Sequence, residues 1–199
     1  MNFRTVTSSS SKARSDASIN NLGMWIYLMT DCLLFGSFFA AYAVLRKSSF
    51  GGATEQELFN INFVFIETLV LLLSSYCAGV GVLNLKSGFK NRVGIWFAIL
   101  FGLGLLFLGM ELFEFRSLVL EGHSWRSSAF LSSYFSLVGL HGLHILAGLI
   151  WLAILMVRVK TSGLSTKLTD SISIFAMFWH FLDVVWIGIF TVVYLVGVL

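Results

Sequence analysis

The chain has 199 residues, of which 57% are hydrophobic and only 12% charged, with 20 Phe and 6 Trp. Soluble domains carry about 25% charged residues, so this composition argues against a soluble enzyme and indicates an integral membrane protein. The net charge of +3 does not indicate a nucleic-acid partner, because short basic cytoplasmic loops account for it. The sequence also contains no GxGxxG or phosphate-binding loop, which argues against a nucleotide site.

Residues 1–21 are Ser-rich, polar and aperiodic, and we expect them to form a flexible cytoplasmic tail. Five long apolar stretches follow, and each can cross a hydrocarbon core of about 30 Å as a helix. Membrane strands are excluded because they span about 10 residues and alternate in polarity. The predicted fold is therefore all-α, an integral membrane bundle of five transmembrane helices over residues 22–199. The predicted helices cover residues 22–45, 61–85, 93–115, about 127–157 and about 171–198.

Basic residues are distributed unevenly between the two ends of the predicted spans. Nine Lys and Arg residues lie in the N-terminal segment and beside the loops after the second and fourth helices, whereas four lie on the other side. The positive-inside rule therefore predicts a cytoplasmic N-terminus and a periplasmic C-terminus.

Small residues recur on the predicted spans. Gly36 and Ala40 are four residues apart, and Gly102 and Gly109 are seven apart. Helices in lipid approach one another through such residues, so we interpret them as ordinary packing positions within the bundle.

Several ionisable residues lie inside the predicted spans, where a charge at the helix centre costs about 2.5–3.5 kcal/mol. They are therefore expected to face protein or water. The helical rise predicts His180 at the depth of His141 and Asp31, and Asp183 near the depth of Glu67. The residues predicted to be polar, buried and structural are Glu67, His141, His144, His180, Asp183 and Asp31.

Two short motifs each place polar side chains three residues apart on one helix face, His141 with His144 in HGLH and His180 with Asp183 in HFLD. This spacing fits a haem or metal site, because two facing histidines can ligate haem iron. It also fits interhelical hydrogen bonds, worth only about 0.6 kcal/mol each on average. A proton path through the buried acids is a third interpretation. The residues alone favour hydrogen bonds and leave all three open.

Glu67 lies in the second predicted helix with no Lys or Arg near its depth on that helix. Apolar surroundings favour an uncharged or hydrogen-bonded carboxyl group, so we expect Glu67 to tie this helix to the histidine-bearing helices. Glu111 and Glu114, by contrast, are expected at the outer interface in contact with water.

Each of the five spans contains a stretch that resembles subunit III of the haem–copper respiratory oxidases. MFWHFLDVVWIGIFTVVYL (177–195) is similar to the family's last helix, and LVGLHGLHILAGLIW (137–151) to its HGLH helix. GMWIYLMTDCLLFGSFFAAYAVL (23–45), FVFIETLVLLLSS (63–75) and GMELFEF (109–115) are similar to other parts of the family in the same order. The resemblance covers nearly everything after the tail, and the WIYLMTDC and WHFLDVVWI stretches are most similar to the cytochrome o ubiquinol oxidase branch.

The resemblance implies an accessory subunit without redox centres in a proton-pumping oxidase of the bacterial inner membrane. Haem, copper and ubiquinol would then belong to partner subunits, with subunit I as the main contact and subunits II and IV and membrane phospholipid as further partners. No catalytic, cofactor-binding or metal-binding residue is expected in this chain. Two alternatives are subunit III of a cytochrome c oxidase and an independent haem-binding electron carrier.

Overall fold

The computed structural model describes residues 3–46, 61–87, 90–122, 128–162 and 166–196. These ranges are helical almost throughout, and the prediction of an all-α fold is confirmed for them. The helices are α1 (Phe3–Leu45), α2 (Ile61–Lys86), α3 (Lys90–Leu120), α4 (Ala129–Ser162) and α5 (Thr166–Ile189). A π-helical turn, Phe190–Leu195, continues α5.

Five helices in the described ranges are long and apolar enough to cross a membrane, which confirms the predicted number of spans. The candidate spans contain between 25 and 33 residues. At a rise of 1.5 Å per residue, even the shortest exceeds the hydrocarbon thickness of about 30 Å. The longer spans therefore have room to tilt.

The helices extend beyond the predicted bounds at several ends. α1 begins at Phe3 instead of residue 22, and α3 ends at Leu120 instead of residue 115. The chain contains no proline, so nothing in the sequence forces a helix to end where its apolar stretch ends. Hydropathy marks the part of a helix that is in lipid and not the polar turns that continue it. The flexibility of the tail remains a prediction.

α5 is the central helix of the bundle. It packs against α1, α2 and α4, while α3 packs against α2 and α4. In the most apolar 18-residue stretch of α5, more than half of the residues are buried inside the chain, compared with less than a quarter in the corresponding stretch of α1. The polar residues of α5 are therefore the best placed to contact several other helices.

A tryptophan of α5 packs against glycines of two other helices. Trp179 is fully buried, and a Cβ at Gly104 of α3 would lie 3.0 Å from its ring. A Cβ at Gly148 of α4 would also lie 3.0 Å from the ring. The two glycines thus form a slot for the indole. By contrast, Gly36, Gly102 and Gly109 have nothing within 4 Å of an added Cβ, so our interpretation of them as packing positions within the bundle was wrong.

The π-helical turn lies near the end of the described part of α5. Val196 N–H reaches back to Thr191 O, five residues away instead of four. Val193 and Tyr194 of this turn are both buried. At the same end, Arg46 Nη2 donates to Val196 O at 3.1 Å and ties the end of α1 to the end of α5.

Candidate functional site: polar groups inside the bundle

A group of acids and tyrosines lies near the end of the bundle where α2 begins and α3 ends. Tyr194 donates its hydroxyl proton to Glu114 Oε2 at 3.1 Å, and the hydroxyls of Tyr194 and Tyr134 lie 2.9 Å apart. Glu111 interacts electrostatically with both Glu67 and Glu114. The group therefore joins four helices, and we call it the carboxyl cluster: Glu67, Glu111, Glu114, Tyr134 and Tyr194.

Two members of the carboxyl cluster are buried without a hydrogen-bond partner in the described part of the chain. Glu67 is 0% exposed and Glu111 is 2% exposed. None of their four carboxyl oxygens has a partner among the described residues. The expectation that Glu111 contacts water at the interface was wrong. α3 continues past this residue to Leu120, and the side chain points towards α4 instead of outward.

Gly142, the second residue of the HGLH motif, provides the space for the Glu111 side chain. A Cβ at Gly142 would lie 2.6 Å from Oε1 and 2.8 Å from Oε2 of Glu111. Atoms cannot approach so closely, so Glu111 can occupy this position only beside glycine. Sequence reasoning considered this motif only for its histidines. The glycine between the two histidines was a signal that another helix approaches here, although it does not identify Glu111 as the residue opposite.

Two tryptophans of α5 donate hydrogen bonds to hydroxyls of α2. Trp186 Nε1 donates to Thr68 Oγ1 at 3.1 Å, and Trp179 Nε1 donates to Ser74 Oγ at 3.0 Å. The tryptophans are seven residues apart, which places them on one face of α5. A buried indole N–H usually finds a partner, and these two bonds fix the register of the antiparallel helices α2 and α5.

The bond between Trp186 and Thr68 can be measured by a double-mutant cycle. We expect Trp186→Phe and Thr68→Val to show a coupling energy of about 0.6 kcal/mol, the average for such bonds in membranes. The measurement is reversible unfolding of the purified chain in mixed micelles. Trp186→Phe combined with Ser37→Ala, a residue of α1 on the outer surface, should show no coupling. Equal coupling in both pairs would contradict the assigned bond.

The HFLD motif meets Ser75 of α2. Ser75 Oγ lies 2.5 Å from His180 Nδ1, and the carboxyl group of Asp183 lies near the same hydroxyl. Asp183 is 6% exposed, and its Oδ1 has no partner among the described residues. His180, predicted to be buried, is exposed on the outer surface of the chain. It follows the buried Trp179 directly, and one residue rotates the side chain by about 100° around the helix axis.

Asp31 of α1 pairs with the second histidine of HGLH. His144 Nε2 lies 3.1 Å from Asp31 Oδ1, and its Nδ1 lies 2.7 Å from Leu140 O. A carbonyl oxygen only accepts, so Nδ1 carries a proton and donates it. A second proton lies between Nε2 of His144 and the carboxyl group of Asp31. The pair is neutral when the carboxyl group holds this proton and an ion pair when the imidazole holds it.

Because Asp31 pairs with His144, we expect two substitutions of Asp31 to differ in their effect on the stability of the chain. Asp31→Asn should be tolerated, because its amide N–H donates to an unprotonated Nε2. Asp31→Leu should lower the free energy of unfolding by roughly 1–3 kcal/mol, because it leaves a largely buried imidazole nitrogen without a partner. Thermal unfolding of both variants is the measurement. If Asn is as damaging as Leu, the hydrogen bond is not what stabilises this contact.

His141 lies in an aromatic cage. It is 0% exposed, and its ring centroid lies 5.2 Å from Trp186, 5.9 Å from Phe107 and 6.4 Å from Phe35. Neither ring nitrogen has a hydrogen-bond partner in the part of the chain that the structure describes. Ring contacts with Phe35 of α1, Phe107 of α3 and Trp186 of α5 therefore hold the His141 side chain inside the bundle.

The predicted layer of His141, His180 and Asp31 does not form a single cluster. His141 is caged inside the bundle, His180 is on the outer surface, and Asp31 pairs with His144. A haem bound between His141 and His180 would need both rings to face one space, and they do not. Across the described residues, no group of three or more His, Cys, Asp and Glu side chains is arranged to hold a metal ion.

Comparison with known proteins agrees with the resemblance. A sequence model of the family "Cytochrome c oxidase subunit III" matches residues 9–198. The chain is 51% identical over 178 residues to the cytochrome bo(3) ubiquinol oxidase subunit 3 of Pseudomonas putida, covering 89% of this chain and 86% of the relative. It is 48% identical over 177 residues to the protein of the same name from Pseudomonas aeruginosa, covering 89% and 85%. It is also 41% identical over 176 residues to the cytochrome c oxidase subunit 3 of Bacillus sp. (strain PS3), covering 88% and 85%.

This chain belongs to the cytochrome c oxidase subunit III family, which supplies a component of the haem–copper oxidases. It is therefore one subunit of a larger oxidase and has oxidase subunits as partners. Its five apolar helices and its bacterial relatives make it a multi-pass protein of the bacterial inner membrane. The polar groups described above accordingly lie within the membrane-spanning part of an oxidase subunit.

Proposed function

We propose that this chain is the non-redox subunit III of a proton-pumping ubiquinol oxidase in the aerobic respiratory chain. The observation that carries the proposal is the 51% identity, over 89% of the chain, to a relative named as a ubiquinol oxidase subunit. Haem, copper and ubiquinol belong to the partner subunits in this proposal. The role of the chain is to stabilise the catalytic subunit and not to react with its substrates.

Subunit I is the main proposed contact, with subunits II and IV and membrane phospholipid as further partners. The apolar outer faces of the bundle support a large membrane-embedded interface. α1 is the most open helix, with Leu33 75% and Met29 66% exposed. A permanent interface of this kind buries on the order of 2,000 Å² or more in total. The distribution of Lys and Arg supports a cytoplasmic N-terminus and a periplasmic C-terminus.

The polar residues inside the spans have a structural role in this proposal. The pairs Asp31–His144 and Ser75–His180 each join two helices by a side-chain contact. Asp183 lies near Ser75 of the second pair. Interhelical contacts of this kind hold a bundle in one arrangement in lipid, where no hydrophobic force separates one packing from another.

Purification through a tag on this chain tests the proposal. We expect haem-containing subunits to co-purify and the material to consume oxygen with ubiquinol and not with reduced cytochrome c. Isolated chain should show no haem absorbance, whereas a haem spectrum in the isolated chain would support an independent electron carrier. Absence of haem-containing partners would contradict the proposal.

A cytochrome c oxidase subunit III is the second candidate, and the 41% identity to the Bacillus sp. protein favours it over any unrelated function. The family contains both kinds of subunit, so membership alone does not choose the electron donor. Turnover with reduced cytochrome c and not with ubiquinol would replace the first candidate with this one.

A further inference from the structure

The carboxyl cluster contains four buried oxygens that have no direct partner in the described chain. They belong to Glu67 and Glu111, both almost fully enclosed. Leaving a buried polar group unsatisfied costs about 1–3 kcal/mol, so most such groups in folded proteins bond to protein or to internal water. Two adjacent carboxyl groups without any partner would be a large cost at one end of the bundle.

Glu67 and Glu111 lie near one another without a direct hydrogen bond between them. Glu111 is close enough to Glu67 and Glu114 for an electrostatic interaction, but its oxygens are not within hydrogen-bonding distance of either. A water molecule can bridge polar groups that lie near one another but do not hydrogen-bond directly. A buried water typically makes about three hydrogen bonds, which the oxygens around this space can supply.

The charge around the cluster favours water over a cation. The identified partners of the three carboxyls in the described chain are one another and the tyrosines Tyr134 and Tyr194, none of which is positive. Three adjacent negative charges without a counter-ion would be unstable in a low dielectric, so the cluster holds protons. Each protonated carboxyl group needs an acceptor for its O–H, and water supplies one.

We propose that Glu67 and Glu111 bind internal water, which joins their carboxyl groups to Glu114 and through it to the tyrosine pair. The network links α2, α3, α4 and α5 by exchangeable protons. Gly142 keeps one wall of the site open by leaving space for the Glu111 side chain. This inference concerns the interior of the chain and goes beyond its proposed role in the oxidase.

Infrared spectroscopy of the complex purified through a tag on this chain tests the proposal. We expect a protonated-carboxyl band that shifts in deuterated water and an internal-water O–H band that shifts in heavy-oxygen water. Glu111→Gln should remove part of the carboxyl band but keep the water band, because the amide still bonds water. Glu111→Leu should abolish the water band.

Glu121→Gln is the matched control, since Glu121 is exposed just after α3 and accepts a hydrogen bond from Ser117. It should change neither band. A water band that survives Glu111→Leu would overturn the proposal. Infrared bands of ionised carboxylates that disappear in Glu111→Leu, together with the loss of a bound cation in elemental analysis of that variant, would also overturn it. If the leucine variant does not assemble, a high-resolution density map of the unmodified complex decides. Density for water between Glu67 and Glu111 supports the site, and direct contact between the two carboxyls overturns it.

Discussion

Trp179→Ala is expected to lower the free energy of unfolding of the chain by roughly 3–5 kcal/mol, the cost of replacing a buried large aromatic with alanine. The indole is 0% exposed and fills the slot between Gly104 and Gly148. Its removal leaves a cavity that α3 and α4 cannot close, and it also leaves Ser74 without its donor. Reversible unfolding in mixed micelles measures the change.

Trp25→Ala provides the control for this substitution. Trp25 lies on the outer face of α1 and is 55% exposed, so the same change of side chain should alter stability by less than about 0.5 kcal/mol. Trp179→Phe should fall between the two, because it keeps most of the ring volume and loses the N–H donor. Similar losses for Trp179→Ala and Trp25→Ala would show that the slot is not the main packing site of α5.

Gly142→Ala is expected to destabilise the bundle by roughly 1–3 kcal/mol through overpacking. The new methyl group would overlap the buried carboxyl group of Glu111, which is enclosed and cannot swing into solvent. Shortening the acid in the same background, Gly142→Ala with Glu111→Ser, should recover part of the loss. The measurement is thermal unfolding of the single and double variants.

Gly139→Ala is the matched control, one helical turn earlier in α4. A Cβ at Gly139 would make an ordinary contact of 3.7 Å with Phe115. This substitution should be neutral or stabilising, because alanine is favoured over glycine in a helix by up to about 1 kcal/mol. Equal destabilisation by both changes would contradict the assigned contact between Gly142 and Glu111.

The number and type of helices could be predicted from the sequence because lipid imposes a strong constraint on it. A span needs about 20 apolar residues and must satisfy its own backbone, which leaves a clear pattern for α1 to α5. The ends were less predictable. Hydropathy follows the boundary of the lipid, whereas α1 continues to Phe3 and α3 to Leu120 with no proline to stop them.

The partners of the polar residues could be predicted only in part. Helical rise gives the depth of a side chain, so Asp31 and His144 could be expected inside the membrane. Depth does not give the direction of a side chain around the helix, which is why His180 was wrongly grouped with the buried residues. The buried direction depends on which helices are neighbours. Because the five spans are all similarly apolar, no local sequence pattern shows which of them pack together.

The glycine contacts illustrate the same limit. Gly102 and Gly109 have the spacing typical of packing positions but face away from the chain, whereas Gly104 and Gly142 accept Trp179 and Glu111. A glycine becomes a contact site because of the large residue opposite it on another helix. That residue cannot be identified from the glycine's own helix.

The most direct test of the account is to strip this chain from the purified oxidase with detergent and compare the two preparations. We predict that the remaining complex keeps its haem spectrum and its initial ubiquinol turnover per complex, but loses activity faster on incubation. This is the behaviour of a subunit that stabilises without carrying a redox centre. Loss of haem absorbance together with the chain, or loss of the initial turnover with all other subunits still present, would contradict the account.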